Sequence, residues 1–195
     1  MRRRDTSSGF LSYKKANSPP RDFKESRMIH VCSLARLHDT VRETGARHVV
    51  TLIKDISLVH RPASITPENH LLLDMDDITD HIDGYVAPHE NHVGDLLRFV
   101  RAWDRGAPMV VHCYAGISRS TAGAFVTICA LNPQRDEMKI AQALRDASPT
   151  ATPNLRIVRI ADQMLGRNGR MVTAVESIGP GRAAYASEPF RLDLE

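Results

Sequence analysis

Apolar residues recur in two rhythms along this chain. Short apolar runs, "MIHVCS" (28–33), "RHVVTLI" (47–53, β-branched), "NHLLLDM" (69–75) and "APMVVHC" (107–113), read as strands. Two of them, 47–53 and 107–113, carry continuous runs without apolar–polar alternation and so predict burial on both faces. Between and after them the rhythm becomes helical. "LARLHDTVRETG" has apolar positions 34, 37 and 41, with Ser33 before it as an N-cap and Gly45 closing it. Residues 89–105 carry a stripe at Val93, Leu96, Leu97, Val100 and Trp103. "STAGAFVTICAL" (120–131) is apolar nearly all round, which predicts a central, buried helix. Two more helices are read at 135–147 and 154–165, with Thr152 and Pro153 as N-cap and first helical residue of the second. A weak strand or helical piece follows at 171–178.

Strands alternate with helices early and helices cluster late. This order predicts an α/β fold, a three-layer sandwich around a mostly parallel central sheet, with function beyond the carboxyl ends of the strands. The chain of 195 residues suits one domain, read as 28–179, between a basic arm (1–27) and a tail (180–195). The arm holds eight Lys and Arg against three acids, so of the formal charge of +3 the arm supplies +5 and the rest −2. The basic balance thus belongs to the arm, which is expected to be solvated and disordered, and the reading disfavours nucleic acid as a partner. No stretch approaches the roughly 20 apolar residues of a membrane helix, and the first residues lack the apolar core of a secretory signal. Three scattered cysteines, Cys32, Cys113 and Cys129, do not make a disulfide framework or a zinc cluster. The expected compartment is a reducing cytoplasm, where a thiol stays available for chemistry.

One stretch asks for chemistry. In "VHCYAGISRSTAGAF" (111–125) a strand ends at Cys113 and a helix begins near Arg119 or Ser120. Gly116 permits a tight turn, and the small Ala115 and Ser118 let a ligand come close to the backbone. Free N–H groups at the start of the helix make an anion site, and the same field favours a thiolate. The planar fork of Arg119 suits two oxygens of a tetrahedral oxyanion. A thiolate at the floor of an oxyanion cradle is a device for attacking phosphorus.

The stretch "HCYAGISRS" resembles the His-Cys-x-x-Gly-x-x-Arg-Ser/Thr signature of the cysteine-based protein tyrosine phosphatases, and "AGISRS" resembles the dual-specificity branch in particular. "IHVCSLARLHDTVRETGARHVVTLI" is similar to the opening of that branch, and "SPTATPN" to the loop before its final helices. The resemblance covers roughly residues 28–165. It implies the cysteine phosphatase fold and a phosphoprotein or phosphopeptide substrate, with no cofactor and no metal. Cys113 would form a phosphocysteine intermediate. Arg119 and the backbone of Tyr114, Ala115, Gly116, Ile117 and Ser118 would bind the phosphoryl oxygens. Ser120 would help expel the thiolate, and His112 would orient the loop.

The resemblance also implies an aspartate acid on a loop before the signature. Residues 68–83 hold six acids and no Lys or Arg, and mutual repulsion is expected to raise the pKa of the one that points inward. Asp77 is chosen because it closely follows the third strand in a non-periodic loop, ahead of Asp76 and then Asp74. Other residues are weighed and set aside. "HENH" (89–92) offers two histidines on one turn without a third ligand. Cys32 and Cys129 read as small core residues, with Cys32 the better candidate to resolve an oxidised Cys113. Asn154 either bonds the phosphate loop from behind or caps a helix. Two alternatives remain open: a phosphate-binding module that turns nothing over, and a phosphatase for a non-protein phosphate ester. The uncharged Tyr114, Ala115, Ile117 and Ser118 argue against a polyanionic head group.

Overall fold

The structure is a computed structural model and describes residues 27–194. The basic arm expected over 1–27 therefore lies, apart from Arg27, outside the described residues. Strands β1 (Met28–Ser33), β2 (His48–Leu52), β3 (His70–Leu73) and β4 (Met109–Cys113) are joined by a fifth, β5 (Phe190–Asp193), in the order β3-β2-β4-β1-β5. The first four are parallel, and β5 runs antiparallel to β1. The helices are α1 (Leu37–Thr44), α2 (Glu90–Ala102), α3 (Arg119–Leu131), α4 (Glu137–Ala147), α5 (Leu155–Met164) and α6 (Arg170–Ser177). Among the described residues, no helix is long and apolar enough to cross a membrane.

The period-2 alternation of the strands sorts their side chains into two layers. Cys32, Val49 and Val110 face α1 together with Leu37, Val41 and Ile65. Val31, Val50 and Val111 face the larger layer that includes Phe125, Leu96, Ile140 and Ile157. The three-layer, mostly parallel arrangement is thus as expected, and it is lopsided. α3 is buried from Arg119 to Cys129, which accounts for its apolar circumference. It lies against the sheet at Gly123, where a Cβ would come within 3.2 Å of Val111 Cγ1 and 3.4 Å of Leu52 Cδ1. The stripe of α2 is buried as read, with Trp103 donating from Nε1 to the Ala107 carbonyl at 3.0 Å.

Three local expectations differ from what is observed. The segment after β1 opens with a 3-10 turn, Leu34–Arg36, without a cap from the Ser33 side chain; instead Leu34 N–H bonds Tyr114 O at 3.1 Å. α5 starts two residues later than Thr152-Pro153 implied, because Asn154 caps it while Thr152 bonds elsewhere. Residues 180–194, set outside the domain in the sequence reading, contribute β5 to the sheet. Asn132 Nδ2 and Arg135 Nη1 bond the Leu194 carbonyl at 2.7 and 3.2 Å.

Candidate active site

The loop after β4 joins a buried strand to a buried helix. Cys113 is 1% exposed and lies at its floor. Gly116 has φ +75°, a left-handed conformation open to glycine. The loop's carbonyls are all engaged by surrounding structure. Tyr114 O takes Leu34 N–H (3.1 Å) and Ala115 O takes Ser187 N–H (2.9 Å). Gly116 O takes Ser187 Oγ–H (3.0 Å). Ile117 O takes Thr152 N–H (2.9 Å) and Thr121 Oγ1–H (2.6 Å). Ser118 O takes Ala122 N–H, Asn154 N–H and Thr121 Oγ1–H. In a planar trans peptide the N–H points opposite to the C=O. Carbonyls tied to the loop's outer supports therefore turn the following amides toward its interior. The Gly116 N–H shows this, donating to Cys113 Sγ at 3.3 Å. Ser120 Oγ lies 3.2 Å from the same sulfur, at the first turn of α3.

Arg119 begins α3 and is nearly buried. Its Nη1 donates to Met75 O at 2.7 Å, and its Nε lies 3.7 Å from Asp77 Oδ2. That Nε is buried and makes no hydrogen bond, so one donor of the fork is free for a ligand oxygen. Asp77 stands at the rim. Its Oδ1 accepts from Ser118 Oγ at 2.7 Å and from Asn154 Nδ2 at 2.8 Å. Beside it lies a cleft of about 450 Å³, lined by Asp77, Ile78, Asp80, Ile82, Ser118 and Leu155 among others.

Comparison with known proteins agrees with this geometry. Residues 78–152 match the sequence profile of the family described as Protein-tyrosine phosphatase. Among solved structures, the Cydia pomonella PTP-2 phosphatase superposes with a TM-score of 0.55 at 20% identity, over 69% of this chain and 84% of that one. A mouse putative dual specificity phosphatase complexed with zinc tungstate gives 0.55 at 16% identity, over 85% and 98%. PTPMT1 in complex with PI(5)P gives 0.55 at 14% identity, over 74% and 94%. This is the protein-tyrosine phosphatase fold. No curated protein matches the sequence.

The resemblance read from "HCYAGISRS" is supported by the matched profile, which spans the loop and ends before α5. Within the phosphatase fold, Gly116 and Ser120 meet the Cys113 sulfur, Asp77 meets Arg119 and Ser118 at the same loop, and Tyr114 projects from the rim, 65% exposed. The other acids have different surroundings. Asp76 Oδ2 accepts from Val86 N–H at 2.7 Å and lies 3.8 Å from Lys54 Nζ, so it pins its own loop. Asp74 is exposed. Asp80 bonds Thr79, and Asp83 lies beside His81.

His112 sits beneath the loop, fully buried, with Nε2 2.6 Å from Thr51 Oγ1; the same hydroxyl lies 2.8 Å from His70 Nε2. Burial, and then the neighbouring His70, push its pKa down to about 3, so it is a neutral support near neutrality. Burial pushes the Cys32 thiol up to about 12, with the Thr40 hydrogen bond and Arg36 opposing and Cys113 adding to the rise. Cys32 is therefore held as a thiol. Cys129 is raised likewise to about 12 by burial. The "HENH" pair is accounted for locally: His92 Nδ1 accepts from His89 N–H at the start of α2, and the rings stack with centroids 3.6 Å apart.

Asn154 does both things weighed for it. Its Oδ1 accepts from Arg156 and Ile157 N–H, capping α5, while its Nδ2 holds Asp77 and its N–H bonds the loop at Ser118 O. Ser187 and Met75 carry no signal in the sequence, and Thr152 reads there only as a helix cap. Their contributions run through backbone groups or through long loop closures, and no spacing announces those.

Proposed function

We propose that this chain is a phosphomonoester hydrolase that removes phosphate from phosphotyrosine, and also from phosphoserine or phosphothreonine, through a phosphocysteine intermediate. One observation carries the reading. The carbonyls of 114–118 are bonded to the loop's supports, which turns the following amides toward the loop's interior, and the Gly116 N–H donates to the Cys113 sulfur. A ring of fixed N–H donors costs no reorganisation when charge develops on the equatorial oxygens of a transferring phosphoryl group.

In the first step the Cys113 thiolate attacks phosphorus. The S–P bond forms, the ester P–O bond breaks, and Asp77 gives its proton to the leaving oxygen. In the second step water attacks the phosphocysteine while the Asp77 carboxylate takes a proton from it. The S–P bond breaks, releasing inorganic phosphate and restoring the thiolate. The Ser120 hydroxyl at 3.2 Å supports this departure by donating to the sulfur. Arg119, with its free Nε, would hold two oxygens throughout. In this reading, side chains, backbone and one water supply every group that the reaction uses.

A phosphoprotein substrate suits the surroundings better than a head group with several phosphates. Of residues 114–119 only Arg119 carries positive charge, and the adjoining cleft is lined by Asp77 and Asp80. PTPMT1, which shares the fold, was solved with PI(5)P, so a phosphoinositide belongs in the assay. The test is turnover of an aryl phosphate, phosphotyrosine and phosphoserine peptides and a phosphoinositide by the wild type and by Cys113→Ser. Wild-type turnover of the peptides that falls to background in Cys113→Ser is expected. Near-zero turnover in both, with oxyanion binding retained, would favour a binding module. Preference for the lipid would replace the substrate class.

A further inference from the structure

Two of the five outward carbonyls of the loop are held by one residue, 71 positions away. Ser187 donates its backbone N–H to Ala115 O at 2.9 Å and its Oγ–H to Gly116 O at 3.0 Å. These belong to consecutive peptide units. The first sets the direction of the Gly116 N–H, which is found 3.3 Å from Cys113 Sγ. The second sets the direction of the Ile117 N–H, which planarity turns away from Ser187 and into the loop. We propose that Ser187 is a positioning residue for the oxyanion cradle, acting through the Gly116 and Ile117 amides and never touching the substrate.

The surroundings fit that role. Ser187 is 5% exposed, so water does not compete for its hydroxyl. A Cβ on Gly116 would come 2.4 Å from Ser187 Oγ and 2.8 Å from both Cys32 C and Ser33 N. The loop is thus closed between the end of β1 and Ser187, and this close approach requires glycine as well as the positive φ. Ser187 is itself anchored on both sides. Upstream, Arg182 N–H bonds Pro149 O at 2.8 Å and Gly181 N–H bonds Thr152 Oγ1 at 3.0 Å. Downstream, β5 pairs with β1. The segment 180–194 is a brace that converts the rigidity of the sheet edge into the orientation of two donors.

The proposal rests on the phosphatase reading, and the experiment separates the two. Tungstate binding is titrated calorimetrically, and aryl phosphate turnover is measured, for folded wild type, Ser187→Ala and Ser187→Thr. Ser187→Ala keeps the backbone donor and loses the hydroxyl. Its kcat/KM and its tungstate affinity are expected to fall together, each on the order of 10-fold, as a buried donor–acceptor pair is lost and one amide swings free. Ser187→Thr, which keeps a hydroxyl, is expected to recover most of both. A purely structural role would lower the unfolding midpoint and leave tungstate affinity of the folded protein unchanged; that result overturns the assignment. If Ser187→Ala does not fold, Ser187→Cys, a weaker donor in the same space, carries the test with a loss of about 3-fold. Wild type that binds tungstate without turnover overturns the phosphatase reading while leaving Ser187 testable by affinity. Wild type that binds no tungstate overturns both.

Discussion

Asp77 is held at the rim by the hydroxyl of Ser118 and the amide of Asn154, within reach of the Arg119 guanidinium, whereas Asp76 is spent on Val86 and Lys54. These contacts give the two neighbours different fates under the same substitution. Asp77→Asn is expected to lower kcat roughly 10²-fold for an aryl phosphate with a poor leaving group, and much less for a good one, within the usual range for lost acid–base catalysis. Asp76→Asn is expected to leave kcat within a few-fold, with the loss falling on the stability of its loop. A leaving-group series on both variants checks this, and an impaired Asp76→Asn beside a normal Asp77→Asn would transfer the role. At this scale the sequence narrowed the acid to a short stretch. Within it Asp77 ranks first by its place after the third strand, but the contacts that hold it span 41 and 77 residues and leave no local trace.

The start of α5 couples a helix cap to the site. Asn154 caps the helix through Oδ1 and holds Asp77 through Nδ2. Next to it, Arg156 Nε and Nη1 bond Pro88 O at 2.6 Å and Thr79 O at 3.1 Å, fastening the acid-bearing loop to the same helix. Two substitutions separate the functions. Asn154→Ala removes both and is expected to cost about 1 kcal/mol in stability, the usual value of a lost cap, along with activity. Asn154→Ser keeps an acceptor for the cap, but its side chain is too short to reach Asp77. Its thermal midpoint is expected to stay near wild type while kcat falls, as scanning calorimetry and steady-state kinetics would show. The helix itself was legible from its apolar spacing. Its first residue was misjudged because Thr152-Pro153 has the local chemistry of a helix start, while Thr152 is drawn off to Ile117 O and Gly181 N–H.

Over the whole molecule, a buried ion pair joins the late helices. Arg167 Nη1 meets Glu137 Oε1 at 2.7 Å, both side chains under a tenth exposed, and Arg167 Nη2 also bonds Cys129 O at 2.6 Å. Glu137→Gln leaves the guanidinium buried without its carboxylate and is expected to cost about 3 kcal/mol in urea unfolding. One buried and two half-buried histidines set the acid limit. Burial, with Arg191 adding, holds His30 down to about 4; burial, with Arg61 adding, does the same to His70; and His112 is held near 3. Each folded value lies below the ordinary 6.5, so below that pH the unfolded chain binds these protons first. Stability is unaffected by them above 6.5 and falls as pH drops from there toward 4 for His30 and His70, and toward 3 for His112. Urea midpoints measured from pH 7.5 to 4.5 are expected to fall, and less steeply in His30→Gln.

The linear chain determined what depends on near neighbours: the strand and helix periods, the burial of α3, and a strand–loop–helix turn joining a cysteine to an arginine six residues on. Those follow from side-chain spacing on a 2.0 or 3.6 repeat and from the backbone freedom of Gly116. Tertiary structure alone decided how Asp77 is held against the loop, that the last residues complete the sheet, and that Ser187 turns two amides inward. Each of these is a contact between distant segments, made largely through backbone groups that every residue carries, so residue identity could not mark them in advance.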